Sequence, residues 1–133
     1  MEYVTLNNGV KMPMLGYGVF QTPPEETERC VKEALEVGYR LIDTAQAYGN
    51  EEGVGAAVAK SGIPREEIFI TSKIWVSNMN YERARVSIDE TLKKLGTDYV
   101  DLMLLHQAMG DYPGAYRAME EAYKQGKIRA IGL

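Results

Sequence analysis

Short runs of apolar and β-branched residues alternate along the chain with stretches in which apolar residues recur every three or four positions. The runs predict strands, and the longer periodic stretches predict amphipathic helices. The predicted strands lie at about residues 14–20, 39–42, 68–72, 99–105 and 128–133. Asn7, Asn8 and Gly9 separate two further short apolar runs and predict a hairpin. The strand-helix units repeat every ~25 to 30 residues, which favours right-handed crossovers and a parallel sheet.

The helix boundaries carry their own signals. Thr22 is predicted to cap the first helix with its hydroxyl group, and Asn80 to cap the third. Asn50 or Glu51 opens the second helix, and Pro113 starts the fourth. The fourth helix is expected to present Tyr116, Met119 and Tyr123 on one face. These patterns predict one α/β domain over residues 1–133: a hairpin, then five strands alternating with four helices.

Composition narrows the classes of partner. The chain has 15 basic and 19 acidic residues, a net charge of −4, which argues against nucleic acid or an anionic membrane as the main partner. The only cysteine, Cys30, has no partner for an internal disulfide, which favours a reducing compartment. The N-terminal residues do not resemble a signal peptide, and no window has the ~20 apolar residues of a membrane span. We therefore expect a cytoplasmic protein.

Polar side chains stand at the ends of three predicted neighbouring strands. Asp43, Lys73 and His106 each follow a strand, and Tyr48 comes five residues after Asp43. The carboxyl ends of parallel strands lie on one rim, so these four side chains are expected to converge. Each residue alone has a simpler explanation: Asp43 as a turn cap or salt-bridge partner, Lys73 as a solvated cation, and Tyr48 or His106 as core residues.

Together, the four residue types indicate proton transfer to an alkoxide. A free tyrosine has a pKa near ~10, too high for ready proton release at neutral pH. An adjacent lysine ammonium favours the phenolate, and an aspartate keeps that ammonium charged and in place. His106 can hydrogen-bond a carbonyl oxygen. There is no serine or cysteine nucleophile beside the histidine and no clear set of metal ligands. Protonation of an alkoxide implies hydride from a cofactor, for which a nicotinamide is suited.

Four segments in this order resemble the aldo-keto reductase family: LNNGVKMP at 6–13, GYRLIDTAQAYGNE at 38–51, FITSKIW at 69–75 and DYVDLMLLH at 98–106. The resemblance implies a (β/α)8 barrel whose hairpin closes the bottom, and reduction of an aldehyde or ketone with NADPH bound without a Rossmann glycine motif. It further implies that Tyr48 is the general acid, that Lys73 and Asp43 tune it, and that His106 orients the carbonyl group. The sequence does not distinguish NADPH from NADH.

The resemblance also assigns binding residues. The cofactor is expected beside Gly18, Val19, Phe20 and Asp43. The substrate pocket is expected to be lined by Phe20, Tyr48, Trp75, His106 and Gln107. Two places depart from the usual family pattern: Val19-Phe20 stands where many members have Thr-Trp, and Gln107-Ala108 where many have Trp-Pro. The amide of Gln107 leaves room for a more polar carbonyl substrate than in those members.

Length sets the last expectation. A (β/α)8 barrel typically takes ~250 residues, whereas this chain has 133 and is predicted to stop at the fifth strand. We expect either a piece of a longer protein or a half-barrel that self-associates through its exposed sheet edges. The alternative to a reductase is a catalytically inactive half-barrel or an interaction subunit of the same fold. A metal-dependent hydrolase is disfavoured, because one histidine and separated acids make a poor metal site.

Overall fold

Five parallel strands, joined by four helices, form the main sheet in a computed structural model that describes residues 1–133. An antiparallel hairpin of β1 (Tyr3–Thr5) and β2 (Lys11–Pro13) precedes it. The sheet order follows the chain, as predicted. Its elements are β3 (Tyr17–Gly18), α1 (Pro24–Glu36), β4 (Leu41–Asp43), α2 (Glu51–Lys60), β5 (Phe69–Ile74), α3 (Tyr81–Leu95), β6 (Val100–Leu105), α4 (Tyr112–Lys124) and β7 (Ile128–Gly132). Single 3₁₀ turns span Gln46–Tyr48, Arg65–Glu67 and Val76–Asn78.

The register brings the strand ends to one edge of the sheet. Gly18 pairs with Asp43, and Asp43 pairs with Thr71 on the next strand. Lys73 pairs with Leu104. Because every neighbour is parallel, the segments that follow β3, β4, β5 and β6 all leave from the same edge. This edge is the rim where the sequence predicts the site.

The hydrophobic core lies between the sheet and its helices. Successive residues of a strand point to opposite faces, so one face of each strand packs on the helices. The largest fully buried side chains of this core include Ile42, Ile70, Ile74 and Met103 from the sheet and Val31, Val54, Ile88 and Met119 from the helices. On the other face, Leu102 and Leu104 are only half-buried. None of the four helices has the length and apolarity needed to cross a membrane.

Two helix predictions need correction. Thr22 does not cap α1: Pro23 occupies the N-cap position without a side-chain hydrogen bond, and the Thr27 hydroxyl donates to the Pro23 carbonyl at 2.8 Å. Two consecutive prolines remove N–H groups that a cap would satisfy. Along α4, Met119 is fully buried but Tyr123 is 43% exposed. The buried face of α4 is lined instead by small residues, Gly114, Ala115, Ala118 and Ala122, which let the helix approach closely.

By contrast, the predicted cap of α3 is confirmed. The side chain of Asn80 accepts a hydrogen bond from the Arg83 N–H at 2.8 Å, and Gly96 ends the helix with a φ of 67°. Helices α2 and α3 also meet at a very close contact. A Cβ atom added to Gly55 of α2 would lie 2.6 Å from the carbonyl carbon and 2.7 Å from the Cα of Leu95. A glycine is therefore required at this crossing.

A buried carboxylate lies near the opposite end of the strands, where their amino termini are. Asp101 is 1% exposed. Its Oδ2 accepts from the Arg65 guanidinium and from the Ile70 N–H, both at 2.9 Å, and its Oδ1 accepts from the Arg129 guanidinium at 2.8 Å. The N-terminal hairpin reaches the same region, since Asn8 Nδ2 donates to the Arg129 carbonyl at 2.9 Å. One aspartate thus ties β5, β6 and β7 to the 3₁₀ turn at Arg65.

Candidate active site

The four side chains predicted at strand ends come from the same rim. Asp43 is the last residue of β4, Tyr48 ends the 3₁₀ turn that follows, and His106 comes directly after β6. Lys73 differs slightly from the prediction, because it lies inside β5 and not after it. The strand continues through Ile74, whose carbonyl accepts the His106 N–H at 3.1 Å, so pairing with β6 prolongs it past the lysine.

Lys73 and Asp43 form an ion pair with fixed geometry. The ammonium donates to Asp43 Oδ1 at 2.9 Å, to Asp43 Oδ2 at 2.8 Å and to the Thr44 carbonyl at 2.8 Å. The lysine side chain is only 13% exposed. A buried ammonium with three acceptors meets the condition under which a desolvated charge is tolerated. Its nitrogen lies 5.1 Å from the centroid of the Tyr48 ring, so positive charge is held close to the phenol.

His106 has an environment that keeps it neutral. Burial lowers the pKa of the imidazole, the Lys73 ammonium lowers it further, and the Asp43 carboxylate opposes them with a smaller effect. Its Nδ1 is buried without a hydrogen-bond partner, which leaves Nε2 as the nitrogen available to a ligand. A neutral imidazole carries one N–H group. His106 can therefore donate a hydrogen bond to a carbonyl oxygen without also serving as an acid at neutral pH.

Aromatic rings enclose the histidine on two sides. The centroid of the His106 ring lies 5.7 Å from that of Tyr48 and 5.1 Å from that of Trp75, both edge to face. The Phe20 ring lies 5.1 Å from the Tyr48 ring and is 65% exposed. Four of the five predicted pocket residues are thus brought together. The fifth, Gln107, is exposed on the loop after the histidine.

Of the four residues predicted to meet the cofactor, Asp43 is paired with Lys73, and the other three divide into two groups. Gly18 and Phe20 face open space: a Cβ atom on Gly18 would have no neighbour within 4 Å. Val19 is fully buried, its N–H donates to the Asp43 carbonyl at 3.0 Å, and its carbonyl accepts from Asn50 Nδ2 at 2.9 Å. The structure therefore places the Val19 side chain in the core, where it supports the rim.

Sequence reasoning missed the role of Asn50. It stands at the start of α2 as predicted, but its side chain makes no helix cap. Its Oδ1 accepts from the Thr44 hydroxyl at 2.8 Å, and its Nδ2 donates to the carbonyls of Val19 and Thr22. Asn50 thereby joins the turn after β3 to the segment after β4. The only signal in the sequence is an asparagine before a helix, which is typical of a cap.

Glu51, the first residue of α2, is a second buried polar group beside the rim. It is 3% exposed, and the Ser72 hydroxyl donates to its Oε2 at 2.7 Å. Burial raises the pKa of its carboxyl group, while hydrogen bonds from Ser72 and Thr91 and the charge of Lys94 act in the opposite direction. The carboxylate points to the helix side of the sheet, away from the four rim residues.

Comparison with known proteins gives one consistent family. The model of the Aldo/keto reductase family matches residues 12–133. Glyoxal reductase from Bacillus subtilis (strain 168) is 48% identical over 134 residues, which cover 99% of this chain and 49% of that protein. The chain spans about half the length of the curated relatives it matches.

Solved structures agree with this result. The aldo/keto reductase from Brucella melitensis superposes with a TM-score of 0.96 at 48% identity, covering 98% of this chain and 52% of that one. The aldo-keto reductase from Bombyx mori, solved in complex with NADP, superposes with a TM-score of 0.91 at 33% identity, covering 98% and 49%. The parallel sheet with its helices is thus an α/β arrangement of the (β/α)8 barrel type, corresponding to about half of each neighbour.

Proposed function

Because this chain belongs to the aldo/keto reductase family, we propose that it carries the proton-donating site of an enzyme that reduces an aldehyde or ketone to an alcohol with NAD(P)H. The observation that carries the proposal is the Lys73–Asp43 ion pair. It holds an ammonium 5.1 Å from the Tyr48 ring, which in turn stands edge to face with a neutral His106. An acid, its activating cation and a carbonyl-binding group thus share one site.

Each residue has one task in this proposal. Tyr48 donates the proton to the alkoxide that forms from the carbonyl oxygen. Lys73 stabilises the phenolate that is left, and Asp43 fixes the ammonium with two hydrogen bonds. His106 Nε2 donates a hydrogen bond to the carbonyl oxygen and aims it at the Tyr48 hydroxyl group. A neutral imidazole suits this task, because an imidazolium would compete with tyrosine as the acid.

The four side chains require a separate source of hydride, for which we propose a nicotinamide cofactor. Tyrosine, lysine, aspartate and histidine transfer protons, but none of them can deliver a hydride to carbon; reduced nicotinamide supplies that hydride when bound. Gly18 and Phe20 border open space next to Asp43 and would hold the nicotinamide end of the cofactor. We propose NADPH ahead of NADH, because the Bombyx mori relative was solved with NADP.

The substrate proposed is a small, polar carbonyl compound. Phe20, Tyr48, Trp75 and His106 supply rings around the reacting group, while the exposed amide of Gln107 adds a polar edge. The similar Bacillus subtilis protein is a glyoxal reductase. Glyoxal is therefore the first substrate to test, ahead of larger aromatic aldehydes.

The first experiment follows the loss of NADPH absorbance with glyoxal and a panel of aldehydes. In a protein that contains the whole barrel, we expect Tyr48→Phe to lower turnover by at least about 10²-fold, in the range of general acid catalysis, with NADPH affinity unchanged. The substitution keeps the ring and its contacts with Phe20 and His106, so only the hydroxyl group is lost. Turnover by Tyr48→Phe equal to that of the wild type would contradict the assignment of the acid.

A second comparison separates a reductase from an inactive half-barrel. The assay is run on this chain and on a chimera in which it replaces the matching half of Bacillus subtilis glyoxal reductase. Activity in the chimera that depends on Tyr48 supports the reductase. A well-folded, NADPH-binding chimera without activity would instead favour the inactive half-barrel or interaction subunit.

Self-association, a single domain over residues 1–133 and a cytoplasmic location complete the proposal. The sheet has an open edge at β3, and several apolar side chains are largely exposed: Met14, Leu15 and Phe20. Such surfaces favour association. Light scattering over a range of protein concentrations tests self-association, and a monomer at every concentration would refute it.

The single Cys30 supports the cytoplasmic location.

A further inference from the structure

The amide of Gln46 makes four hydrogen bonds next to the rim. Gln46 is the first residue of the 3₁₀ turn that ends at Tyr48. Its Oε1 accepts from the Trp75 N–H and from Asn78 Nδ2, both at 3.0 Å. Its Nε2 donates to the Ser87 carbonyl at 3.3 Å and to the Thr91 hydroxyl at 3.2 Å. Two accepted and two donated bonds are the full capacity of an amide side chain.

The partners determine which way the amide faces. A main-chain N–H can only donate and a carbonyl can only accept, so the oxygen must face Trp75 and the nitrogen must face Ser87. A leucine of similar size would satisfy none of these groups. A glutamate would satisfy the Trp75 side but place a carboxylate oxygen against the Ser87 carbonyl. The arrangement therefore requires both halves of the amide.

Gln46 joins the 3₁₀ turn after β4 directly to the turn after β5. The 3₁₀ turn has its own anchors, the hydrogen bonds from the Thr44 N–H to the Thr71 carbonyl and from the Tyr48 N–H to the Ala45 carbonyl. The turn after β5 is closed by the Asn78 N–H on the Trp75 carbonyl at 2.9 Å. Loss of the Gln46 amide would leave both turns formed, and they would then be connected only through the paired strands before them and the Lys73–Asp43 ion pair.

The two segments carry opposite walls of the site. Tyr48 and Trp75 both contact the ring of His106, at 5.7 and 5.1 Å between centroids. A polar cavity of about 140 Å³, lined in part by Gln46, Trp75 and Thr91, lies beside the network. The proton donor and the pocket wall that flank His106 are therefore carried by the two segments that Gln46 joins.

From this geometry we infer that Gln46 is a positioning residue, which fixes the separation between the proton donor Tyr48 and the pocket wall Trp75. The inference rests on the proposed carbonyl reduction. Gln46 acts through the two side chains it joins and needs no contact of its own with the substrate. Misplacement of a reacting group by about 1 Å can cost on the order of 10²-fold in rate. Loss of the Gln46 hydrogen bonds is therefore expected to lower the rate measurably.

Trp75 is the only tryptophan of the chain, which allows a test that does not depend on activity. Its emission spectrum and its quenching by acrylamide are measured in wild type, Gln46→Leu and Gln46→Glu. Gln125→Leu, the same change at the exposed end of α4, is the matched control. We expect Gln46→Leu to shift Trp75 emission and increase quenching. Gln46→Glu should show a smaller change, because it keeps the acceptor for the Trp75 N–H but loses the donors to Ser87 and Thr91. The control should match wild type.

Turnover provides the second measurement. Gln46→Leu should lower kcat by on the order of 10-fold to 10²-fold with the affinity for NADPH unchanged, and Gln46→Glu should recover part of kcat. Unaltered Trp75 emission and kcat in folded Gln46→Leu would overturn the inference. Absence of all reductase activity in the chimera with Bacillus subtilis glyoxal reductase would instead contradict the proposed function, while the fluorescence still decides whether Gln46 holds Trp75.

A second pair of variants covers the case in which Gln46→Leu does not fold. Asn78→Ala removes a bond on the Trp75 side of the amide, and Thr91→Val removes one on the α3 side. If Gln46 positions Trp75, Asn78→Ala should shift the Trp75 emission more than Thr91→Val does. Lower stability in both variants without any change in emission would show that the network only holds the fold together, and the inference would be wrong.

Discussion

At the scale of single residues, His106 shows how the environment selects a chemical role. It is the only histidine of the chain, and burial together with the Lys73 ammonium lowers its pKa, against a smaller opposing effect of Asp43. In the proposed reaction, His106 donates one hydrogen bond to the carbonyl oxygen, and this requires a neutral imidazole. The ion pair beneath Tyr48 therefore serves two residues, because its cation faces the phenol and also disfavours the imidazolium.

This arrangement predicts the titration of His106. Its imidazole NMR signals should titrate with a midpoint below about 6.5, the ordinary value for histidine. Lys73→Met removes the repelling cation and leaves the attracting Asp43 carboxylate, so the midpoint should rise relative to wild type. With one histidine in the chain, no signal needs assignment. A wild-type midpoint at or above about 6.5 would contradict the prediction.

The same shift has a consequence for stability. The unfolded chain takes up the proton at a higher pH than the folded chain does. The stability contributed by neutral His106 is fully present above about pH 6.5, the pKa of histidine in the unfolded chain. It is lost as the pH falls through the lower pKa that His106 has in the folded chain. Histidine replacement by asparagine should flatten this part of the curve of unfolding free energy against pH. Chemical denaturation at a series of pH values measures it.

At the scale of elements, the sequence predicted the alternation of strands and helices because apolar periodicity alone decides it. The ends of elements were harder. Lys73 lies inside β5 because pairing with β6 continues past it, and no local signal encodes that partner. Asn50 looks like a helix cap in sequence but bonds to Val19 and Thr44. Gln46 was missed because its partners lie 29 to 45 residues away.

The crossing of α2 and α3 gives a prediction at this scale. Alanine normally stabilises a helix relative to glycine by roughly 0.5–1 kcal/mol. At Gly55 the added methyl group would meet main-chain atoms of Leu95, which cannot move without shifting α3. We expect Gly55→Ala to destabilise the protein by about 1–3 kcal/mol, as measured by denaturant unfolding.

The reverse change at an exposed position of α2 is the control. Ala59 is exposed, so Ala59→Gly should cost only about 1 kcal/mol through helix propensity. A stabilising effect of Gly55→Ala would mean that the two helices have room to separate at this point.

At the scale of the whole molecule, Asp101 connects parts that are distant in sequence. It holds Arg65 and Arg129 and the Ile70 N–H from a position that is 1% exposed. Asp101→Asn removes the charge that both guanidinium groups face, and we expect a loss of about 3 kcal/mol in unfolding free energy. Glu26→Gln, at a half-exposed pair with Arg29, is the control and should change stability little. Equal effects of the two substitutions would contradict this view of Asp101.

The hydrogen bond from Asn8 to the Arg129 carbonyl also sets an order of events during protein synthesis. The hairpin leaves the ribosome first, but the strand it touches is translated 121 residues later. At about 5–20 residues per second, that interval lasts roughly 6 to 24 seconds. A lone two-stranded hairpin is marginally stable in water. Docking of the hairpin onto β7 can therefore begin only after α1 to α4 have been translated.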